Sequence, residues 1–245
     1  MKNLDWMLDT PFAHRGLHDN REVPENSLEA FRLAMQAGFG SELDVYLTQN
    51  GELIVHHDPT LRRSCGKRIR ATQIENPQDY KLMGTQHTIP RLRDVLDLIH
   101  GQVGLIIEIK TCSRPIETCV AVNEMLASYT GNYAIESFDP KIVQWWLDNR
   151  PDCIVGQLYS DRPLTRVLSV ENRMSPHVDF FACPVQQLGN RLFRRMRTQF
   201  PTTPMIAWTM RDPAVFSRTI SMCDNYIFEY NKKNPAYIPL PTRTH

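Results

Sequence analysis

Two short segments repeat one arrangement of charge. In "SELDVYL", Glu42 and Asp44 stand two residues apart; in "GLIIEIK", Glu108 and Lys110 do the same. Side chains two apart on a strand share a face, so Leu43, Val45, Ile107 and Ile109 turn the other way. Three carboxylates gathered on one side repel each other unless a cation sits among them. Oxygen donors without a Cys or His cluster favour a hard ion, Mg2+ or Ca2+. The plainer reading pairs each acid with a lysine or arginine, and it suits one such strand better than two with the same pattern. His14 closes "PFAH", and His56 or His57 closes "ELIVHHD"; the residues alone do not choose between the adjacent pair. Histidine moves protons near neutral pH. Arg15 offers a planar fork for phosphate oxygens, and Lys110 a second positive charge. Two proton carriers, two phosphate-binding cations and one divalent ion point to hydrolysis or transfer at phosphorus.

Such residues are far apart in the chain, so the scaffold must bring several strands to one place. Short apolar runs at 11–14, 41–47, 104–110, 133–138, 153–158, 178–183, 204–209 and 224–229 read as strands. Amphipathic stretches lie between most of them. Ser27 to Ala37 has helical apolar spacing, with Asn26 or Ser27 as its cap. Arg91 to His100, Cys119 to Tyr129, Lys141 to Asn149, Gly189 to Gln199 and Pro213 to Met222 continue the series. Eight strands alternating with helices predict an α/β fold, a TIM (β/α)8 barrel. A doubly wound sheet is the structural alternative, but no GxGxxG follows the first strand. "NGELIVHHDPTLRR" breaks the alternation after an Asn50-Gly51 turn. It predicts an extra strand within a small insertion after the second barrel strand, at about 50–88, over the active-site face. The stretch 232–245 is rich in Pro and polar residues and reads as a tail, with 1–245 as a single domain.

Composition narrows the setting. The chain has 245 residues, 42% hydrophobic and 22% charged, enough to bury a sizeable core. A net charge of +1 gives no general pull toward nucleic acid or anionic membrane. No run of about 18 apolar residues exists to span a membrane, and no amphipathic basic helix suggests docking on one. "MKNLDWMLDT" does not read as a signal peptide. The six cysteines form no CxxC pair and read as reduced thiols of a cytoplasmic protein, not zinc ligands.

"HRG" at 14–16, "PEN" at 24–26, "ELD" at 42–44, "HDPTL" at 57–61 and "EIK" at 108–110 occur in order. With "IPRLRDVL" (89–96), "SF" (137–138) and "WT" (208–209), the chain resembles the glycerophosphodiester phosphodiesterase family over about 11–230. The resemblance implies metal-dependent hydrolysis of glycerophosphodiesters to glycerol 3-phosphate and an alcohol. It implies His14 and His57 as acid and base, and Glu42, Asp44 and Glu108 as ligands of one divalent cation, Mg2+ or Ca2+. It implies Arg15 and Lys110 as phosphate contacts. It also selects His57, which directly precedes the aspartate, and leaves His56 a bystander on the opposite face. One histidine would help deprotonate the glycerol 2-hydroxyl, which attacks phosphorus, and the other would protonate the departing alcohol. Water would then open the cyclic phosphate.

Family members often have "WTVN" where "WTMR" (208–211) stands, and a Thr-Asp pair near "IFEYN" (227–231). Arg211 and Glu229 therefore bear on the pocket's charge, and Trp208 is either a substrate neighbour or a barrel-rim residue. The alternatives are a related enzyme acting on lysophospholipids or another phosphodiester, and an inactive barrel that binds phosphate esters. A sugar hydrolase would not need paired histidines. The expected partner is a small-molecule glycerophosphodiester, with no nucleic acid and no stable membrane insertion. The head group, the choice of ion and a homo-oligomer stay open.

Overall fold

Eight strands pair edge to edge until the last meets the first. In the computed structural model, which describes residues 2–159 and 175–229, they are β1 (Phe12–Ala13), β2 (Gly40–Leu47), β4 (Leu105–Ile109), β5 (Tyr133–Ser137), β6 (Ile154–Leu158), β7 (Phe180–Pro184), β8 (Met205–Met210) and β9 (Asn225–Phe228). Each runs parallel to its neighbours, and β1 pairs with both β2 and β9, closing the ring. β3 (Leu53–Val55) lies outside the ring, antiparallel to β2. This is the (β/α)8 barrel expected from the alternation of elements. The tail at 232–245 falls outside the described residues.

Among the described residues the helices are α1 (Asp5–Asp9), α2 (Leu28–Gln36), α3 (Arg62–Cys65), α4 (Leu92–Ile99), α5 (Pro115–Leu126), α6 (Pro140–Asn149), α7 (Arg191–Gln199) and α8 (Pro213–Thr219). Of the two candidate caps of α2, Ser27 does the capping, its side chain accepting the Ala30 N–H at 3.2 Å. α5 starts at Pro115, ahead of the expected Cys119. Proline's fixed φ and missing donor suit the first helical position, so it extends the helix upstream of its apolar stripe.

The two-residue period of the strands sorts their side chains. Leu43, Val45, Ile107 and Ile109 turn outward and pack with Leu92, Val95 and Trp146 of the helical layer. Phe12, Ile106, Ala134, Ile154, Phe180 and Ile206 turn inward and fill the lower barrel. Two glycines make room for the inward rings. A Cβ at Gly40 would lie 2.5 Å from the Phe12 ring, and one at Gly156 would lie 2.1 Å from Phe180.

α1 was not legible beforehand, since five residues are too few to display a period. It closes the bottom of the barrel, with Met7 buried and Leu4, Trp6 and Leu8 packed on the interior cluster. Asn225 ties it down, donating its side-chain amide to the carbonyls of Met7 at 2.6 Å and Thr10 at 2.7 Å. At the other end, β3, α3 and three 3-10 turns form the insertion between β2 and α4. It has its own apolar centre of Ile54, Leu61, Ala71, Ile74, Leu82 and Ile89 under Tyr46. No helix among the described residues is long and apolar enough to cross a membrane.

Replacing Asn225 by Ala strands two carbonyls at the barrel base. Urea unfolding followed by circular dichroism should show a loss of about 1–3 kcal/mol. An unchanged midpoint would mean that α1 is held by apolar packing alone.

Candidate active site

Above the apolar interior the inward positions become ionisable. β1 ends at Ala13, and the His14 N–H donates to the Phe228 carbonyl at 2.7 Å. Arg15 and Gly16 then adopt φ of 55° and 76° and turn the chain back. Glycine is required at 16, because a Cβ there would approach the Ala30 carbonyl carbon to 2.7 Å. The left-handed conformation costs Arg15 about 1–2 kcal/mol. Its backbone N–H donates to Glu42 Oε2 at 3.0 Å, and Nη1 donates to Glu25 Oε1 at 2.7 Å. Hydrogen bonds to charged groups contribute about 1.5–3 kcal/mol each, so the turn is favourable overall. Asn26, also at positive φ, donates its side-chain amide to Asp44 Oδ2 at 2.8 Å.

Strand register gathers the acids. Asp44 lies opposite Glu108, and Glu108 opposite Glu136. One carboxylate oxygen from each of Glu42, Asp44 and Glu108 lies within 4.8 Å of the others, and all three residues are buried. Burial, then repulsion from Asp44 and Glu108, pushes Glu42 well above the usual carboxylate range. Burial also raises Glu108, against the pull of Lys110. Burial opposes ionisation of Asp44 too, but Lys110 and Arg15 hold it well below its ordinary value. Lys110 Nζ sits 2.6 Å from Glu108 Oε1 and 3.1 Å from Asp44 Oδ1. A compact set of buried oxygens with too little positive charge fits a hard divalent cation. Glu42, Asp44 and Glu108 are the residues that would hold it.

These groups open into a cavity of ≈ 500 Å³ lined by His14, Arg15, Glu42, His57, Glu108, Glu136 and Trp208, among others. Lys110 does not line it; its ammonium is engaged by the acids below. His14 Nε2 is 3.9 Å from Glu42 Oε2, and Nδ1 is 3.4 Å from Glu229 Oε2. Burial pushes the His14 imidazole down to about 4, so it is neutral near pH 7. His57 Nδ1 pairs with Asp58 Oδ1 at 2.7 Å, which leaves Nε2 for the cavity. Arg63 Nε donates to Asp58 Oδ2 at 2.6 Å, and its fork donates to both oxygens of Glu25 at 2.8 and 2.6 Å. Glu25 also accepts from Arg15, so a continuous chain of charge-assisted bonds ties the His57 loop to the His14 turn. His56 is turned away, its Nδ1 donating to the Asp58 carbonyl at 2.8 Å and its Nε2 bonded to Ser64 Oγ at 2.7 Å. Trp208 meets Phe138 edge-on with centroids 5.9 Å apart, and Arg211 Nε donates to Glu229 Oε2 at 2.7 Å. A second hollow of ≈ 390 Å³, lined by Lys2, Trp6 and Tyr129 among others, includes none of these residues.

The model of the glycerophosphoryl diester phosphodiesterase family matches residues 14–222. The chain belongs to this family. Glycerophosphodiester phosphodiesterases of Caldanaerobacter subterraneus subsp. tengcongensis and Bacillus altitudinis are 38% and 35% identical to it, each over 109 residues. These stretches are 40% of this chain and only 44% and 43% of the two relatives. Solved structures share the fold across almost their whole length. An Oleispira antarctica phosphodiesterase in complex with the product sn-glycerol-3-phosphate superposes with a TM-score of 0.75 at 22% identity, covering 94% of this chain and 96% of its own. A glycerophosphodiester phosphodiesterase from Parabacteroides distasonis gives 0.75 at 20% identity, covering 93% and 95%.

Within this phosphodiesterase-family barrel, several residues at the mouth escaped sequence reasoning. Glu25 stood out only as part of "PEN", and Asn26 also as a candidate cap of α2, yet they brace Arg15, Arg63 and Asp44. Glu136 was read only as part of a strand. Its inward register, shared with Glu108, was the available signal. It is buried, one oxygen has no hydrogen-bond partner among the described residues, and burial plus Glu108 push it well above the usual carboxylate range. His18, 4% exposed, had no signal beyond its type.

The raised carboxyls set a pH test. Glu42 and Glu108 keep protons in the ion-free fold that the unfolded chain releases around the ordinary 4.5. Their contribution to stability is therefore full below that value and is lost as pH rises through the folded values. A bound dication removes that penalty. The gain in melting temperature on adding Mg2+ or Ca2+ should be larger near about pH 8 than near about pH 5; a gain that shrinks with rising pH would contradict this protonation pattern.

Proposed function

We propose that this chain hydrolyses glycerophosphodiesters to glycerol 3-phosphate and an alcohol, using a divalent cation and two histidines. The observation that carries the reading is that His14 and His57 face one cavity together with Glu42 and Glu108 of the acidic cluster. The sn-glycerol-3-phosphate in the Oleispira antarctica enzyme is the product expected here. Glu42, Asp44 and Glu108 would hold the cation, Mg2+ or Ca2+, which would supply positive charge to polarise a phosphate oxygen.

The chain's own groups do the rest. Between them His14 and His57 take the proton from the glycerol 2-hydroxyl as it attacks phosphorus and deliver one to the departing alcohol. The attack closes a cyclic phosphate, and water opens it with the proton transfers reversed. Asp58 holds His57 through Nδ1, so the proton it exchanges is at Nε2. Glu229 stands beside His14 Nδ1 and offsets the positive charge when that ring is protonated. Arg15, at the cavity wall, attracts the phosphate. Lys110 offsets Asp44 and Glu108 and reaches a phosphate only by leaving them. Trp208 and Phe138 form an aromatic wall for the alcohol portion. We treat residues 1–245 as one catalytic domain, and place it in the cytoplasm because no disulfide joins its six cysteines.

His14→Ala and His57→Ala should each cut the release of glycerol 3-phosphate by on the order of 10²–10⁴-fold with the circular dichroism spectrum retained. Turnover close to wild type in either folded variant would remove that histidine from the mechanism.

A further inference from the structure

His18 lies beside the mouth, and the proposed reaction leaves it idle. It is 4% exposed, and neither ring nitrogen has a hydrogen-bond partner among the described residues. His14 Nδ1 is also buried and lacks a well-formed hydrogen bond, with Glu229 Oε2 standing off at 3.4 Å. An unsatisfied buried polar group costs about 1–3 kcal/mol, so this pair is a concentration of unmet donor–acceptor capacity. His14, His18 and Glu229 each present a ligand atom within 4.8 Å of the other two. The chemistry of this trio differs from that of the carboxylate cluster: two imidazoles and one carboxylate suit Zn2+, not Mg2+ or Ca2+.

We propose that His14, His18 and Glu229 form a second metal site that takes Zn2+, and that filling it inhibits the enzyme by engaging His14. A tetrahedral zinc with bonds of about 2.0–2.1 Å holds its ligands roughly 3.4 Å apart. His14 Nδ1 and Glu229 Oε2 already stand at 3.4 Å, and the remaining separations, none above 4.8 Å, need to close by at most about 1.4 Å. Arg211, which donates to the Glu229 carboxylate at 2.7 Å, orients that ligand from outside. Burial lowers His18, which keeps its imidazole in the neutral, ligating form. Three protein ligands leave a fourth position for water or a phosphate oxygen. The inhibition rests on the proton-carrying role of His14 proposed above; the binding does not.

The test uses the full chain in excess Mg2+, so that the carboxylate cluster is satisfied. Zn2+ is titrated by calorimetry, and Co2+ by visible absorption as a spectroscopic stand-in. Wild type should bind one equivalent of Zn2+ and give the intense visible bands of tetrahedral Co2+. His18→Asn should weaken both at least tenfold while its melting temperature and Mg2+-supported turnover stay at wild-type levels. Zn2+ should suppress turnover of wild type but not of His18→Asn. Glu229→Gln should weaken Zn2+ binding likewise, and this variant decides the matter if His18→Asn does not fold. Wild-type Zn2+ affinity in both variants, or no Zn2+ binding by wild type in excess Mg2+, overturns the site. Binding that depends on His18 but leaves turnover untouched upholds the site, overturns the inhibition and counts against the role of His14.

Discussion

Repulsion among buried carboxylates is the constraint around which the barrel mouth is arranged. Unit charges 4.8 Å apart, the outer limit for Glu42, Asp44 and Glu108, repel by about 3 kcal/mol at an effective dielectric of about 20. Three such pairs approach roughly 10 kcal/mol, comparable with the whole net stability of a domain. Lys110, Arg15 and Asn26 all converge on Asp44, which stays ionised. Glu42 and Glu136 receive less and hold their protons more tightly. The arrangement is charge-deficient by construction, and a divalent cation is the natural remedy.

The surrounding structure follows from holding those acids in place. Inward apolar residues fill the barrel below and exclude water from beneath the cluster. The left-handed turn at Arg15 and Gly16 aims one backbone N–H at Glu42 and the guanidinium at Asp44 and Glu25. Arg63 then carries the connection across to Asp58 and His57. The insertion after β2 thus does more than cover the site: its Arg63 couples the two histidine-bearing segments. Truncating Arg63 would leave Glu25 with Arg15 and the Asn20 amide and release Asp58 from its second partner.

The alternation within "SELDVYL" and "LIIEIK" was enough to separate acid-bearing from apolar faces, because a strand's period is set by its own backbone. The barrel followed from the order of such strands, and the insertion from an Asn-Gly turn with a short strand after it. What escaped depended on distant partners. Asn26 had a sufficient local explanation as a candidate helix cap and Glu25 showed only as part of "PEN"; neither revealed the bonds to Asp44 and Arg63, 18 and 38 residues away. Glu136 needed the register of β5 against β4. The relation between His18 and Glu229 depends on where β9 ends relative to the first loop, and no periodicity encodes that.

The most direct measurement is glycerol 3-phosphate release from glycerophosphocholine by a single preparation: as purified, after EDTA, and after excess Mg2+ or Ca2+. If the buried carboxylates act through a cation, turnover falls to background on chelation and returns when either ion able to fill the cluster is restored. Turnover that continues unchanged in EDTA would contradict a cation-dependent site at Glu42, Asp44 and Glu108.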